Sequence, residues 1–457
     1  MMYLSRTAGT QGRETMQGRK SGTPPQAGPS GGDTSVEGRQ SDRSIPIPFS
    51  EAEVTEAVAG VLSSLRDEGY DLSKVLAVPP DITRFHSGSG EVLGAVASQL
   101  GEALTDVIPA VGTHSPMTEA EIGRMYPGVP RELFRDHNFR TDVETLGRIG
   151  ADYIRELSEG KLDFDYPVQI SKRIAANEHG LVLSIGQVVP HEVVGMANHA
   201  KNLFVGTGGA EAIDRSHYLG AVYGMERIMG VAETPVRTLL NRAAHDYLGD
   251  RPVVYILTVV ATGPDGHPGI VGLFAGDDEE CFYEASALAR QYNVFQLERA
   301  PETVVVSLDP DSYRSTWLGN KAIYRTRKAI ADGGRLLIHA PGVSHFGEDE
   351  AIDRLIRTWG YRGTQYVLDG VARDEALAEG LSAAAHLIHG SSEGRFRICY
   401  APGGLSRGEV EGVGYEYIDL KDLENEVRFD TLVDGWNSVN GEDIYYISQP
   451  GLGLWEA

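Results

Sequence analysis

Residues 180–189 read Gly-Leu-Val-Leu-Ser-Ile-Gly-Gln-Val-Val, a nearly continuous apolar run bounded by glycine and by Pro190. Such a run, rich in Val, Leu and Ile, is typical of a strand buried on both faces of a parallel sheet. Similar short apolar runs recur at residues 74–78, 105–111, 251–260, 303–308, 335–340 and 395–400. Helical patterns alternate with them at residues 50–69, 90–105 and from Thr118 onward. The alternation predicts an α/β fold with mainly parallel sheets flanked by helices.

The length of the chain favours two domains, because 457 residues is about three times the usual size of one domain. The strongest turn signal in the middle of the chain is Ala-Thr-Gly-Pro-Asp-Gly-His-Pro-Gly at residues 261–269. We therefore predict an N-terminal α/β domain at residues 45–265 and a C-terminal α/β domain at residues 266–440, with the active site in the crevice between them. Residues 441–457 are expected to form a C-terminal tail that could pack back on the N-terminal domain.

Residues 1–44 differ in composition from the rest of the chain. They are rich in Gly, Ser, Thr, Gln and Pro and contain almost no aliphatic side chains. Such a segment cannot bury enough apolar surface to offset the entropy lost on ordering. It also lacks the apolar core of a signal peptide. We expect a disordered tail.

The net charge of −24 argues against several classes of partner. An acidic surface repels phosphate backbones and anionic lipid, so nucleic-acid and membrane-surface binding are not expected. No apolar run approaches the roughly 18 residues that span a bilayer. The cysteines, Cys281 and Cys399, form no disulfide framework, which favours a cytoplasmic protein. The sequence leaves the oligomeric state open.

Polar side chains follow several predicted strands at the point where each strand ends. Asp81 and Arg84 follow the first strand, His114 follows the second, and His191 follows the strand at residues 180–189. Because ligands bind beyond the carboxyl ends of parallel strands, these side chains are expected to share one catalytic edge. A single histidine at such a place could also do no more than satisfy a backbone carbonyl.

A glycine-rich loop and a lysine lie in the segment that follows. Gly206, Gly208 and Gly209 precede a helical pattern and could present backbone N–H groups to a phosphate at a helix N-terminus. Lys201 lies among apolar and small residues, where loss of solvation would lower its pKa and make the amine nucleophilic. The alternative is a lysine that extends its amine to solvent along an apolar surface.

His114, His191 and His217 also raise the question of a metal site. Their spacing matches no standard zinc motif, and no cysteine pair is present. A zinc- or iron-dependent hydrolase that uses these three histidines as ligands therefore remains an alternative. A non-catalytic carboxylate-binding protein of the same fold is another.

Taken in order, several motifs resemble the lactate racemase family of nickel-pincer-nucleotide enzymes. The motifs are Asp81-x-x-Arg84, Gly112-Thr-His114, Pro190-His191, Lys201 and His217. The run Ile-Tyr-Arg-Thr-Arg-Lys-Ala at residues 323–329, followed by Gly333-Gly334, is similar to a second-domain signature of that family. The likeness spans residues 47–440. No single element is diagnostic, and the resemblance depends on the ordered set.

The resemblance implies a cofactor and the residues that hold it. Lys201 would bind the nickel-pincer nucleotide (pyridinium-3,5-bisthiocarboxylic acid mononucleotide nickel) covalently through a thioamide. His217 would be the protein ligand to nickel. Asp81 would lie beside the cofactor or orient a catalytic partner, with the Gly206, Gly208 and Gly209 loop as a further cofactor contact. Enzymes that synthesise the pincer cofactor would then be required partners.

The resemblance also implies a reaction, the racemisation or epimerisation of a small anionic 2-hydroxy acid at C2. Hydride would leave C2 and return through a 2-keto intermediate, with His114 and His191 as an acid/base pair on opposite faces of the substrate. Arg84 and Lys328 would bind the substrate carboxylate, a role suited to a guanidinium and an ammonium group.

Two departures from the family pattern bear on the substrate. Asn198-His199-Ala200 stands where lactate racemases carry a Ser-Gly-Gly run, and Arg325 stands where they carry glutamine. Asn198, His199 and Arg325 are larger polar donors that could contact additional substrate hydroxyls, although His199 could equally be a loop residue. We therefore expect a larger polar substrate, such as an aldonate epimerised at C2 like gluconate, with lactate and malate as the alternatives.

Overall fold

The computed structural model describes residues 2–5, 14–15 and 45–457. Seven strands form the first sheet, in the spatial order β2 (Glu14–Thr15), β1 (Met2–Ser5), β11 (Pro268–Gly276), β10 (Val253–Thr262), β7 (Leu181–Gln187), β3 (Val75–Val78) and β4 (Leu104–Val107). The strands β4, β3, β7 and β10 run parallel to one another. Strand β11 returns antiparallel to β10, and β1 pairs antiparallel with β11.

Six strands form the second sheet, in the order β16 (Glu416–Tyr417), β15 (Arg397–Pro402), β14 (Arg335–Ala340), β13 (Thr303–Ser307), β18 (Glu442–Ile447) and β17 (Gly435–Val439). All neighbours are parallel except β17 and β18. Three two-stranded ladders join β5 (Val143–Ile149) to β6 (Tyr166–Ser171), β8 (Pro190–His191) to β9 (Gly195–Met196), and β12 (Val294–Gln296) to β19 (Leu454–Glu456).

The helices cover the sheets. They are α1 (Glu51–Asp67), α2 (Ser89–Leu100), α3 (Glu119–Met125), α4 (Ala151–Leu157), α5 (Lys172–Ala175), α6 (Ala210–Tyr223), α7 (Met225–Ile228), α8 (Pro235–Tyr247), α9 (Glu280–Asn293), α10 (Thr316–Gly319), α11 (Lys321–Thr326), α12 (Glu350–Trp359), α13 (Thr364–Val371), α14 (Glu375–Glu379), α15 (Leu381–His389), α16 (Arg407–Gly412) and α17 (Leu420–Val427). Ser50 and Thr118 cap α1 and α3 through reciprocal hydrogen bonds with a glutamate three residues on. The predicted α/β class with mainly parallel sheets is confirmed.

The core follows from the alternation of side chains along each buried strand. On β3, Leu76 and Val78 pack into one hydrophobic cluster and Val75 and Ala77 into another. The first of these clusters continues to Val304 on β13 and to other side chains of the second sheet. The two sheets therefore share one continuous apolar core, which fixes their relative position.

The structure places the change of sheet later than the sequence analysis did. The predicted boundary at residues 265/266 falls in the turn between β10 and β11, which belong to the same sheet. The first strand of the second sheet begins at Thr303, after α9. A Gly- and Pro-rich turn signals a reversal of the chain, and here the reversal is a hairpin.

The two chain ends also differ from expectation. Met2–Ser5 and Glu14–Thr15 form strands at the edge of the first sheet, where β1 pairs with β11 and β2 pairs with β1. The remainder of the predicted disordered tail lies outside the described residues. At the other end, β18 belongs to the second sheet and β19 pairs with β12. In the described part of the chain no helix is long and apolar enough to span a membrane.

Candidate active site

A cleft opens between the carboxyl edge of the first sheet and the helices α10, α11 and α15. The first half of the chain contributes Asp81, Arg84, His114, His191, Asn198, Lys201 and His217 to its lining. The second half contributes Trp317, Lys321, Tyr324, Ser382, His386 and His389. The strand-end residues singled out in the sequence therefore meet in one place.

His114 is paired with a buried carboxylate. Its Nδ1 lies 2.7 Å from Oδ2 of Asp81, whose other oxygen accepts hydrogen bonds from the backbone and side chain of Thr83. Burial alone would raise the pKa of Asp81, but these bonds and the charge of Arg84 hold it below its ordinary value. The ionised carboxylate must accept a proton from Nδ1, so neutral His114 presents a free Nε2 to the cleft.

His191 has the opposite arrangement. Its Nδ1 accepts a hydrogen bond of 3.1 Å from the backbone N–H of Val193, so the neutral ring carries its proton on Nε2. Burial lowers the pKa of His191 well below its ordinary value, a shift that Lys201 and Arg84 reinforce and Glu192 opposes. The cleft thus holds one imidazole with a free Nε2 and one that is an Nε2–H donor.

Lys201 directly precedes a π-helical turn, Asn202–Gly206, and the loop just before Lys201 has a strained backbone. In this loop Asn198 and His199 have φ of +69° and +58°, values that residues other than glycine rarely adopt. Arg237 is fully buried behind this loop and donates hydrogen bonds to the carbonyl oxygens of Met196 and Asn198. These bonds fix the loop that presents Lys201.

The amine of Lys201 is electrostatically prepared for nucleophilic chemistry. Burial, reinforced by Arg84, lowers its pKa to about 8, although Glu192 and Asp81 act in the opposite direction. A substantial fraction of the amine is therefore unprotonated at neutral to mildly basic pH. The lowered pKa anticipated from the apolar neighbours of Lys201 is present in the structure.

His217 lies on α6, where one of its ring nitrogens is hydrogen-bonded and the other is available as a ligand. Its Nδ1 donates 2.7 Å to the carbonyl oxygen of Ile213, one helical turn earlier, and this leaves the Nε2 lone pair free. Burial and the charge of Lys201 lower its pKa to about 4, so the ring is neutral at physiological pH. A neutral imidazole oriented by a backbone carbonyl is a suitable ligand for a transition metal.

These features fit the cofactor that the sequence resemblance implies. Lys201 offers an amine of lowered pKa and His217 offers a free nitrogen, and both line the same cleft. Asp81 also lies in this cleft, as expected, and its carboxylate orients His114.

The glycine loop has a packing role rather than an anion-binding one. A Cβ on Gly208 would meet the carbonyl oxygen of Phe204 at 2.0 Å, and one on Gly209 would meet the Gln169 side chain at 2.3 Å. The N-terminus of α6 is also occupied, since the N–H groups of its first residues donate to protein acceptors, among them Phe139 and Gln169. Of the three glycines, Gly206 lines the cleft. The predicted phosphate contact of Gly208 and Gly209 is not supported by this geometry.

The structure replaces one predicted carboxylate-binding residue with another. Lys328 does not line the cleft, because its amine forms an ion pair with Glu456 of β19. Lys321, two helical turns earlier, does line the cleft, and burial lowers its pKa to about 8. Within residues 45–457, neither Arg84 nor Lys321 has a carboxylate at ion-pair distance, 4.0 Å or less. Both remain free to bind a substrate anion.

His199 is placed in the core rather than in the cleft. It is 3% exposed, its ring lies 3.8 Å from the ring centroid of Tyr255, and its Nε2 contacts the carbonyl oxygen of Asp278. The prediction of His199 as a substrate contact is therefore not supported. Asn198 does line the cleft, although its Oδ1 accepts a hydrogen bond from the backbone N–H of His199.

Arg325 is fully buried on α11 and lies behind the cleft lining. Its Nη1 donates to the carbonyl oxygen of Gly453, whereas Nε and Nη2 have no partner among the residues that the structure describes. Burial lowers its pKa to about 10, with the Glu192 carboxylate acting in the opposite direction. Arg325 does not line the cleft, so the predicted direct contact with substrate is not supported.

Several cleft residues escaped the sequence analysis. Glu192 directly follows His191, and Tyr324 lies one turn after Lys321. Tyr324 contacts Nδ1 of His386 at 2.8 Å, and the His386 ring stacks on Trp317 with centroids 4.4 Å apart. His386 lies in a helical pattern with no flanking motif, so nothing in the local sequence marked it.

The hydrolase alternative required three histidines in one metal site. Among residues 45–457, no group of three or more His, Cys, Asp or Glu side chains is arranged to hold a metal ion. The Nδ1 atoms of His114 and His191 are committed to Asp81 and to the backbone N–H of Val193. The predicted three-histidine zinc or iron site is therefore not formed.

Comparison with known proteins agrees with the sequence motifs. Residues 45–228 match the family model described as the lactate racemase N-terminal domain. A crystal structure of a Thermotoga maritima protein, 21% identical, has a TM-score of 0.76 over 90% of this chain and 98% of its own. The lactate racemase apoprotein from Thermoanaerobacterium thermosaccharolyticum, 16% identical, has a TM-score of 0.63 over 90% and 94%. A search of curated proteins finds no match. The resemblance to the family is confirmed, and the two solved structures share the fold.

Proposed function

We propose that this chain, whose residues 45–228 match the lactate racemase N-terminal domain, is a racemase or epimerase that inverts C2 of a 2-hydroxy acid. The cofactor in this proposal is a nickel-pincer nucleotide attached to Lys201. The observation that carries it is the joint presence, in one cleft, of Lys201 with its lowered pKa, His217 with a free Nε2, and the two histidines at positions 114 and 191.

In this proposal the cleft residues bind the substrate and transfer its hydroxyl proton. Arg84 and Lys321 bind the substrate carboxylate, since both are cationic and neither is paired with a carboxylate in the described part of the chain. Nε2 of His114 accepts the proton of the C2 hydroxyl, because Asp81 holds the ring proton on Nδ1. His191 donates a hydrogen bond from Nε2–H to the substrate oxygen on the other face. When bound, the cofactor supplies a hydride acceptor and donor.

Closure of the cleft by α10, α11 and α15 would retain the 2-keto acid between the two hydride transfers. The continuous core between the sheets keeps these helices against the histidines. Trp317 and Tyr324 form part of that wall and limit water access to C2.

We propose a larger polar 2-hydroxy acid, such as an aldonate of the gluconate type, as the substrate. The cleft lining includes Asn198, Glu192 and Tyr324, whose polar atoms can bond hydroxyls that lactate lacks. Lactate and malate are the alternatives. A carboxylate at Glu192 disfavours the second carboxylate of malate, because two like charges in a buried site repel each other.

The test is production of the full chain together with the pincer-synthesis enzymes, which the proposal requires as partners, followed by a screen of 2-hydroxy acids for inversion. Gluconate, lactate and malate are compared by kcat/KM. The proposal predicts nickel and an added mass on the Lys201 peptide. Zinc in place of nickel with an unmodified Lys201, or inversion of no 2-hydroxy acid, would refute it.

A substrate deuterated at C2 tests the hydride step. If hydride leaves C2 and returns within the closed cleft, the product keeps the label. If a base removes C2–H as a proton, solvent exchange replaces the label with protium. Mass spectrometry of the product after one conversion distinguishes the two mechanisms.

A further inference from the structure

The two cleft histidines are not equivalent in their hydrogen bonds. Nδ1 of His114 is paired with Asp81 at 2.7 Å, which leaves Nε2 as a base. Nδ1 of His191 instead accepts from the backbone N–H of Val193, which places the proton on Nε2 and removes the basic lone pair from the cleft. Inversion in both directions needs each histidine to accept the hydroxyl proton in turn. In the arrangement described, His191 can donate a hydrogen bond but cannot act as a base at Nε2.

A second carboxylate lies beside His191. Oε2 of Glu192 is 3.9 Å from Nδ1 of His191, beyond hydrogen-bond distance, and no other carboxylate in the described part of the chain lies within 4.0 Å of that ring. The same Oε2 is buried and has no hydrogen-bond partner among residues 45–457. A buried carboxylate oxygen without a partner is costly, so a donor within reach will be used.

The charges around Glu192 keep it ionised and able to accept a proton donor. Its carboxylate is influenced by His191, Arg325 and Lys321, which together outweigh the effect of burial and hold its pKa well below the ordinary value. Neither Arg325 nor Lys321 lies within 4.0 Å of it among residues 45–457, and its ion-pair contact with Nδ1 of His191, at 3.9 Å, is beyond hydrogen-bond distance. The carboxylate of Glu192 is therefore negatively charged, and its Oε2 can still accept a hydrogen bond.

We propose that Glu192 is the positioning carboxylate of His191, the counterpart of Asp81 for His114. A small rotation of the Glu192 side chain brings Oε2 to Nδ1–H of His191 and stabilises the tautomer in which Nε2 is free. The Val193 N–H then loses its acceptor, and the site gains a second base. Glu192 acts through His191 and does not itself touch the reacting carbon. This inference rests on the proposed function, because only inversion requires a base on each face.

The test compares the wild-type holoenzyme with E192Q, which keeps the shape of the side chain and removes its charge. Histidine labelled with ¹⁵N reports the tautomer of His191 in the complex with D-gluconate. We expect an Nδ1–H population in the wild type that E192Q loses, and a fall in kcat of about 30-fold or more with a smaller change in KM. E178Q, which removes an exposed carboxylate on the same half of the chain, is the matched control.

Each outcome decides the proposal. The same His191 tautomer in wild type and E192Q, or a kcat for E192Q within about threefold of wild type, would overturn it while leaving the proposed function intact. Inversion of no 2-hydroxy acid by the wild-type holoenzyme would remove the proposed function and this inference with it. If E192Q does not fold, E192D keeps the charge but draws the carboxylate back by one methylene. It is then expected to lose at least about tenfold in kcat, and full activity would contradict the proposal.

Discussion

Asp81 and His114 form a hydrogen bond of 2.7 Å between Oδ2 and Nδ1, at the edge where β3 and β4 end. Asp81 is itself held by Thr83, so the carboxylate has little freedom to move. The pair fixes both the orientation and the tautomer of the imidazole. Because the carboxylate already orients the imidazole, the base does not have to reorient when substrate binds.

Asp81→Asn is expected to lower kcat by about 100-fold or more. The amide can donate to Nδ1 of His114, which moves the ring proton to Nε2 and removes the base. Nickel content and the mass of the Lys201 peptide should be unchanged, since both are measured independently of turnover. Asp71→Asn is the control, because Asp71 is exposed and its carboxylate accepts a hydrogen bond from the backbone N–H of Ser73, two residues later. A kcat for Asp81→Asn within threefold of wild type would show that the pair does not set the tautomer.

Lys201→Ala and His114→Ala should separate cofactor retention from turnover. Without the amine, Lys201→Ala cannot form the covalent bond, so nickel and the added mass should both be lost. His114→Ala removes a base but no attachment point, and it should retain nickel while losing activity. Metal analysis and peptide mass spectrometry measure both. Activity in Lys201→Ala would show that the attachment site is elsewhere.

The lowered pKa of Lys201 predicts a pH dependence that can be measured on the apoprotein. Only the neutral amine reacts with an acylating reagent, so a pKa of about 8 means that modification of Lys201 rises as pH passes through about 8. Removing the cation Arg84, whose charge lowers the pKa, should shift the midpoint for Lys201 upward.

Peptide mass spectrometry after brief labelling at a series of pH values gives this midpoint. A midpoint for Lys201 at the ordinary lysine value of about 10.4 would contradict the electrostatic account of the site. Lys321, whose pKa is also lowered to about 8, should respond in the same range, and its peptide must be measured separately.

Lys321→Ala and Lys328→Ala are expected to have different effects although the two lysines are close in sequence. Lys321→Ala removes a cation from the cleft and should raise KM about 10- to 100-fold. Lys328→Ala breaks the ion pair with Glu456 and should lower the free energy of unfolding by about 1 kcal/mol, with little change in KM. Steady-state kinetics measure KM for both variants, and urea unfolding measures their free energies of unfolding. A large rise in KM for Lys328→Ala would restore its original assignment to the substrate carboxylate.

Periodicity and strand-end chemistry were sufficient to predict the fold class and the centre of the site. The apolar runs at residues 74–78 and 180–189 became β3 and β7, because a strand buried on both faces requires such a run. Asp81 and His191 follow these two strands, His114 follows β4, and all three residues line one cleft. Local sequence contains this information, since the direction of a parallel strand decides which edge its last residues reach.

Contacts between distant parts of the chain decided the rest. Lys328 left the cleft because Glu456, 128 residues later, supplies its counter-ion. His199 entered the core because Tyr255 and Phe282 provide an aromatic surface there. The turn at residues 261–269 became a hairpin because β11 found β10 as a partner.

The sequence by itself determined which residue types the site would contain, and it placed most of them at the carboxyl edge of the first sheet. Tertiary structure alone decided which cations remain without a counter-ion and which tautomer each histidine adopts. The physical reason is that charge compensation and hydrogen-bond direction depend on the nearest partner in space. For His191 that partner is the backbone of Val193, and for His114 it is Asp81, 33 residues away.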